Sequence, residues 1–190
     1  MAIRIFIDQG HNPGGVNGGA IGFGVNEQDI TFYVGLYLAN LLNDDGRFEA
    51  RTSRQDPEEI IGTTNSSSLQ ARVRMANEWP ADYFISIHCN ANDNPNLNGT
   101  EVYVYALNTE SSVLAESILR FVTQTVGTKA NGVIANPSLY VLRKTEMTSC
   151  LVELAYITNY EDNYLLINDQ YSFAYGIYLG ILNFFGFTTR

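Results

Sequence analysis

Charge, histidine and cysteine are all scarce in this 190-residue sequence. Asp, Glu, Lys and Arg together make up 16% of it, against the ~25% usual for a soluble domain. Lys and Arg number 11 and Asp and Glu 20, for a formal net charge of -9. No basic stripe is left to follow a phosphate backbone, which excludes nucleic acid as the partner. No apolar run reaches the ~18 residues that a membrane span needs. Met1 to Asp8 lack the charged start and long apolar centre of an export signal, so no signal peptide is expected in this chain. Two cysteines, Cys89 and Cys150, cannot build a disulfide scaffold or a four-thiolate metal site. Buried free thiols are the expectation for both.

What is present suffices for a core, with 45% hydrophobic residues that include 12 Tyr and 10 Phe. This length suits one domain, residues 1–190, and the composition excludes a disordered chain. Ile3 to Ile7 reads as a buried strand, followed by a glycine-rich segment, Gln9 to Val25, too long for a simple turn. Ile30, Val34, Tyr37, Leu38, Leu41 and Leu42 recur at helical spacing until Asn43 to Gly46 stops them. Phe48 to Ser53 is a weak strand, and Leu69, Val73 and Ala76 mark a second helix that Pro80 ends. Tyr83 to His88 is the strongest central strand, Glu101 to Ala106 another, and Ser111 to Val126 a helix. Leu139 to Leu142 and Cys150 to Leu154 are predicted as strands, and Tyr164 to Phe187 as one helix, apolar nearly all round. The alternation predicts a single α/β domain: a mostly parallel, mixed central sheet with helices on both faces.

Chemistry in such sheets gathers at the carboxyl ends of the strands. Both histidines stand there, His11 just after the first strand and His88 closing the central one. If those strands are parallel neighbours, the imidazoles converge on one rim. A borderline-soft divalent ion such as zinc accepts imidazole and carboxylate, and catalytic zinc commonly keeps a fourth position open beside three protein ligands. Glu27, where the helix after the glycine-rich segment begins, is the candidate third ligand. A plainer alternative leaves one histidine satisfied in the core and Glu27 favouring the helix N-terminus. Glu153 interrupts the apolar run Cys150-Leu151-Val152-Glu153-Leu154-Ala155. A carboxylate in a buried strand needs a partner. Either a metal-activated water fills that role, with Glu153 as general acid and base, or an ion pair with Arg143 or Lys144 does.

Five segments in order then carry a resemblance: Ile7-Asp8-Gln9-Gly10-His11, Asn26-Glu27-Gln28-Asp29, Ile85-Ser86-Ile87-His88-Cys89-Asn90-Ala91, Gly99-Thr100-Glu101-Val102-Tyr103-Val104-Tyr105 and Leu151-Val152-Glu153-Leu154-Ala155-Tyr156-Ile157-Thr158-Asn159. They resemble the successive motifs of the zinc-dependent N-acetylmuramoyl-L-alanine amidases of the amidase-3 family, which includes autolysins, sporulation and germination amidases and phage endolysin domains. The likeness spans essentially the whole chain. It implies one zinc per chain on His11, Glu27 and His88, Glu153 as catalytic acid and base, and hydrolysis of the amide between N-acetylmuramic acid and L-alanine in peptidoglycan. It also implies action on the cell wall, outside the cytoplasm. A net charge of -9 should weaken retention on a wall rich in anionic polymers, so a separate anchoring domain or partner is expected, and the chain is expected to be a monomer. Gln9 stands where the family usually has proline and Cys89 where it usually has alanine. Neither change removes a ligand atom. Asn90 and Glu101 are the candidate substrate contacts.

Rival readings fare worse. A dinucleotide fingerprint would need a third glycine where Gly22-Phe23-Gly24-Val25-Asn26-Glu27 places a carboxylate. No P-loop or G-x-S-x-G occurs, and Cys89 projects to the opposite strand face from its neighbour His88. A non-catalytic glycan-binding domain of the same fold would be expected to lack a ligand or Glu153.

Overall fold

The computed structural model describes residues 2–189. In chain order the strands are β1 (Ile3–Gln9), β2 (Ile21–Gly22), β3 (Val25–Asn26), β4 (Phe48–Thr52), β5 (Tyr83–Asn90), β6 (Thr100–Val104), β7 (Ala130–Ala135) and β8 (Thr148–Tyr156). The helices are α1 (Glu27–Asp45), α2 (Asn65–Glu78), α3 (Glu110–Val126), α4 (Tyr140–Lys144), α5 (Tyr160–Asn168) and α6 (Gln170–Phe184). The main sheet runs β4-β1-β5-β8-β6-β7, and β2 and β3 pair as a separate hairpin. Every pairing in the main sheet is parallel except β6 with β8. This is the mixed, mostly parallel α/β architecture that the alternation of elements implies.

Strand periodicity divides the interior in two. Ile5, Ile7, Ile85, Ile87, Cys150, Val152 and Leu154 point to one face, where they join Ile30, Val34 and Leu38 of α1, Ile118 and Val122 of α3, and Phe173 and Ile177 of α6. Each such side chain contributes about 1.5–3 kcal/mol when fully buried, so this face is the larger source of stability. The opposite face is thinner: Phe6, Phe84 and Leu151 pack against Val73 and Ala76 of α2 and Val141 and Leu142 of α4. Beyond that cover, the carboxyl ends of β1, β5 and β8 are free to carry polar groups.

Three expectations are corrected. The segment predicted as a strand at Leu139 to Leu142 belongs to α4 and its cap, because a four-residue apolar run carries too little periodicity to separate strand from helix. The edge strand β7 was not anticipated; Asn131 and Gly132 interrupt its apolar pattern and much of it faces solvent. The tail is two helices, α5 beginning at Tyr160 and α6 at Gln170, with Asp169 leaving the helical region between them at φ -122° and ψ 29°. Both cysteines are buried and unbridged, as expected.

Candidate active site

β1 and β5 are parallel neighbours, with Gln9 opposite Ile87. The residues that follow, Gly10 and His11, therefore meet His88 at the sheet rim. His11 Nε2 lies 3.1 Å from His88 Nδ1 and 3.2 Å from Glu27 Oε1, and His88 Nδ1 lies 3.1 Å from the same oxygen. The carboxylate is 3% exposed and the two imidazoles 20% and 18%, so the cluster opens to solvent on its histidine side.

Each ligand candidate is oriented by a second contact. His11 Nδ1 sits 3.1 Å from the Asn17 carbonyl, which fixes the proton on Nδ1 and leaves the Nε2 lone pair facing the cluster. Glu27 accepts the Cys89 backbone N–H at Oε1 and the Ala20 backbone N–H at Oε2, both at 2.8 Å. Glycine makes room for both. A Cβ on Gly10 would lie 2.5 Å from His88 Cε1, and one on Gly19 would lie 2.8 Å from Glu27 Oε2. The glycine-rich segment is thus a mould around the ligand side chains.

The backbone of His11 is left-handed, at φ 68°, a conformation that costs a non-glycine residue about 1–2 kcal/mol. Arg72, 1% exposed, holds it there. Its guanidinium donates to Asp8 Oδ1 at 2.6 Å, to the Gln9 and His11 carbonyls at 2.5 Å and to Asn12 Oδ1 at 2.8 Å. Asp8 Oδ2 in turn accepts from Ser86 at 2.8 Å. Burial would raise the Asp8 carboxyl, but the Arg72 charge and hydrogen bond hold it below the usual carboxylate range. For Glu27, burial is likewise opposed and outweighed by the His11 and His88 rings beside it, which hold its carboxyl below the usual carboxylate range.

Glu153 pairs in register with His88 on one side and with Glu101 on the other, so all three share the thinly covered face. Adjacent strands are about 4.8 Å apart, which puts the Glu153 carboxyl beside the cluster. Its Oε2 is buried with no hydrogen-bond partner, and among the described residues no cation pairs with it. Arg143 instead donates to the Pro137 and Ser138 carbonyls. Burial first, then the nearby Glu27 and Glu101, push the Glu153 carboxyl well above its ordinary range.

Glu101 is buried, at 7% exposure. Its Oε2 accepts from Asn90 Nδ2 at 3.1 Å and Tyr103 Oη at 2.8 Å; its Oε1 accepts from Tyr156 Oη at 2.7 Å and Asn131 Nδ2 at 3.4 Å. Asn90 is half-exposed beyond a register shift in β5, on the same side as His88. Cys89 faces the large core, and burial, with lesser help from Glu27 and Glu153, raises its thiol well above the normal value, so it is no nucleophile. Gln9 is fully buried, its amide bonded to the Phe32 carbonyl and the Arg54 backbone N–H, each at 2.9 Å. The buried Arg72–Asp8 clamp and the tyrosines around Glu101 escape a reading of the sequence, since nothing in a solitary Arg at helical spacing signals burial.

Two imidazole lone pairs and a carboxylate aimed at one point repel one another unless a cation lies between them. Three donors of this kind, roughly 3.3 Å apart, match a tetrahedral ion with bonds of ~2.0–2.1 Å and a fourth position open. His11, Glu27 and His88 therefore fit a zinc-like ion, and the unpartnered Glu153 oxygen fits a group that handles protons beside it.

Comparison with known proteins gives the family and the fold. The family profile for N-acetylmuramoyl-L-alanine amidase matches residues 5–183. The N-acetylmuramoyl-L-alanine amidase LytC of Bacillus subtilis is 37% identical over 164 residues, 83% of this chain. The chain spans about a third of the length of the first curated relatives it matches, 30% in the case of LytC. Among solved structures, the amidase AmiC2 of Nostoc punctiforme superposes with a TM-score of 0.83 at 33% identity, covering 97% of both chains. An amidase from Clostridium difficile 630 gives a TM-score of 0.85 at 29% identity, again over 97% of both. The chain belongs to the N-acetylmuramoyl-L-alanine amidase family.

Proposed function

We propose that this chain hydrolyses the amide between the lactyl group of N-acetylmuramic acid and L-alanine in peptidoglycan, using one zinc ion held by His11, Glu27 and His88. The observation that carries the reading is the triangle of His11 Nε2, Glu27 Oε1 and His88 Nδ1, with 3.1–3.2 Å edges, set beside an unpartnered Glu153 carboxyl. When bound, zinc supplies a Lewis acid that activates water and polarises a carbonyl. Glu153 does the proton work. Its Oε2 takes the proton of the attacking water and delivers it to the departing alanine nitrogen, which an amide needs because an amine anion leaves poorly. A cation held by His11, Glu27 and His88 would oppose the effect of burial and of the neighbouring carboxylates on the Glu153 carboxyl. Asn90, steadied by Glu101, presents its amide to the substrate. The segments Gln9 to Val25 and Asn90 to Gly99 form the groove walls. A non-catalytic glycan-binding role is disfavoured because ligands and Glu153 are all present.

Digested peptidoglycan should gain free N-terminal alanine with no matching rise in reducing sugar ends. A chelator should stop the reaction and zinc restore it. Reducing ends, or new amino groups on another stem residue, would overturn the bond assignment.

A further inference from the structure

The tip of the β2–β3 hairpin carries a residue that the fold does not need. Phe23 is 60% exposed and has φ 49°, with Gly24 following at φ 80°. Two positive values in succession make the tight turn that favours Asn-Gly; a bulky side chain at the first position is an outlier. A side chain this exposed, on a backbone this strained, adds little to the stability of the fold.

The hairpin itself is firmly seated. Gly22 lies so close to the Ile157 carbonyl that no Cβ would fit, and Asn163 Nδ2 donates to the Gly22 and Ile157 carbonyls at 3.3 and 2.9 Å. Phe23 meets Tyr160 edge to face at 5.8 Å between ring centroids. Tyr160 is 72% exposed, and Tyr164, one turn further along α5, is 60% exposed. Ile21, 66% exposed, extends the patch. Its chain connections lead into the candidate active site from two sides. β3 runs directly into Glu27, whose backbone and carboxylate bond to Ala20 at the hairpin base, and Tyr160 follows the strand that carries Glu153.

We propose that Phe23, Tyr160 and Tyr164 form a saccharide-binding platform at the rim of the site, on which a sugar ring of the glycan strand packs. This rests on the reading of the substrate as peptidoglycan. The hairpin that carries Phe23 is tied at its base to Glu27, and a polymeric substrate must run past the bond being cut. The C–H face of an N-acetylhexosamine ring is apolar and complements the electron-rich face of an aromatic ring. The surface is otherwise acidic, with Glu161 and Asp93 exposed on the neighbouring segments, so it suits the neutral glycan arm of the substrate.

The test uses the Glu153→Gln protein, so that binding is read without turnover. It should pellet with insoluble peptidoglycan, and soluble N-acetylglucosamine oligomers should compete. Phe23→Asn and Tyr160→Ala, each added to that background, should weaken pelleting about three- to ten-fold. Phe23→Asn should melt at or above its parent, because Asn tolerates a left-handed backbone, which separates lost contact from lost fold. Unchanged pelleting in both variants, or failure of the oligomers to compete, would overturn the platform. So would a dimer in sedimentation velocity that Phe23→Asn converts to monomer, since a second copy would then be the occupant. Failure of amide cleavage by the unaltered protein would instead overturn the catalytic reading alone.

Discussion

Arg72→Leu tests the claim that a buried ion pair, and not His11, Glu27 and His88 alone, shapes the proposed zinc site. Arg72 and Asp8 are each 1% exposed and pair at 2.6 Å. Removing one partner of such a pair costs about 3–5 kcal/mol, because the other charge stays buried and uncompensated. Since a domain's whole stability is only about 5–15 kcal/mol, urea denaturation should show the midpoint fall steeply at pH 7. The site should suffer as well. Without the guanidinium on its carbonyl, the left-handed His11 can relax by about 1–2 kcal/mol, a loss of roughly 5- to 30-fold in zinc affinity. The pH dependence follows from the depressed Asp8 value in the folded protein. A depressed carboxylate gives stability that is full above its unfolded value of ~3.9 and is lost as pH falls through the folded value. In the variant, burial is opposed only by His88 and by the Ser86 hydrogen bond and raises Asp8, so acid favours its folded state and the gap to wild type should narrow from pH 7 toward pH 4. Adding Asp8→Asn should then recover part of the loss. An Arg72→Leu midpoint within about 1 kcal/mol of wild type, or a further loss on adding Asp8→Asn, would refute the uncompensated-charge argument.

Other expectations follow from the same geometry. His11→Ala and His88→Ala should each lose zinc by metal analysis, and full retention in both would remove the ligand assignment. Glu153→Gln should keep fold and zinc while activity falls by roughly 10² to 10⁴, the contribution general acid-base catalysis makes; normal turnover would leave Glu153 a structural residue. Gly10→Ala should weaken zinc binding and lower the melting temperature, because the added carbon would fall on both the His88 ring and the Ile87 backbone carbonyl; unchanged affinity and melting would refute that crowding. With a net charge of -9, this chain should be retained better by a wall stripped of its anionic polymers, and added salt should reduce the difference. Equal retention at low salt would refute that repulsion.

How far the sequence carried the site depends on what each residue answers to. His11, Glu27, His88 and Glu153 stand at positions where a polar side chain conflicts with the element around it or ends it, and such conflicts are visible in one dimension. The parallel pairing of β5 with β1 and with β8, which alternating strands and helices imply, brings His11, His88 and Glu153 together, and the turn into α1 adds Glu27. Arg72 was hidden for the opposite reason: within α2 it agrees with the helix, and only the third dimension shows it beneath the sheet rim against Asp8. Glu101 was legible as a candidate but not in its manner of acting, because its donors come from Asn90, Tyr103, Asn131 and Tyr156, spread over four strands. The same distinction explains the fold. Long helical stripes and the central strands declared themselves, whereas β7 and α4 take their form from neighbours that cover one side of a short segment. Phe23 marks the limit of both kinds of reading: in the sequence it sits inside a glycine pattern that fails the dinucleotide fingerprint, and only its left-handed backbone and exposed ring single it out.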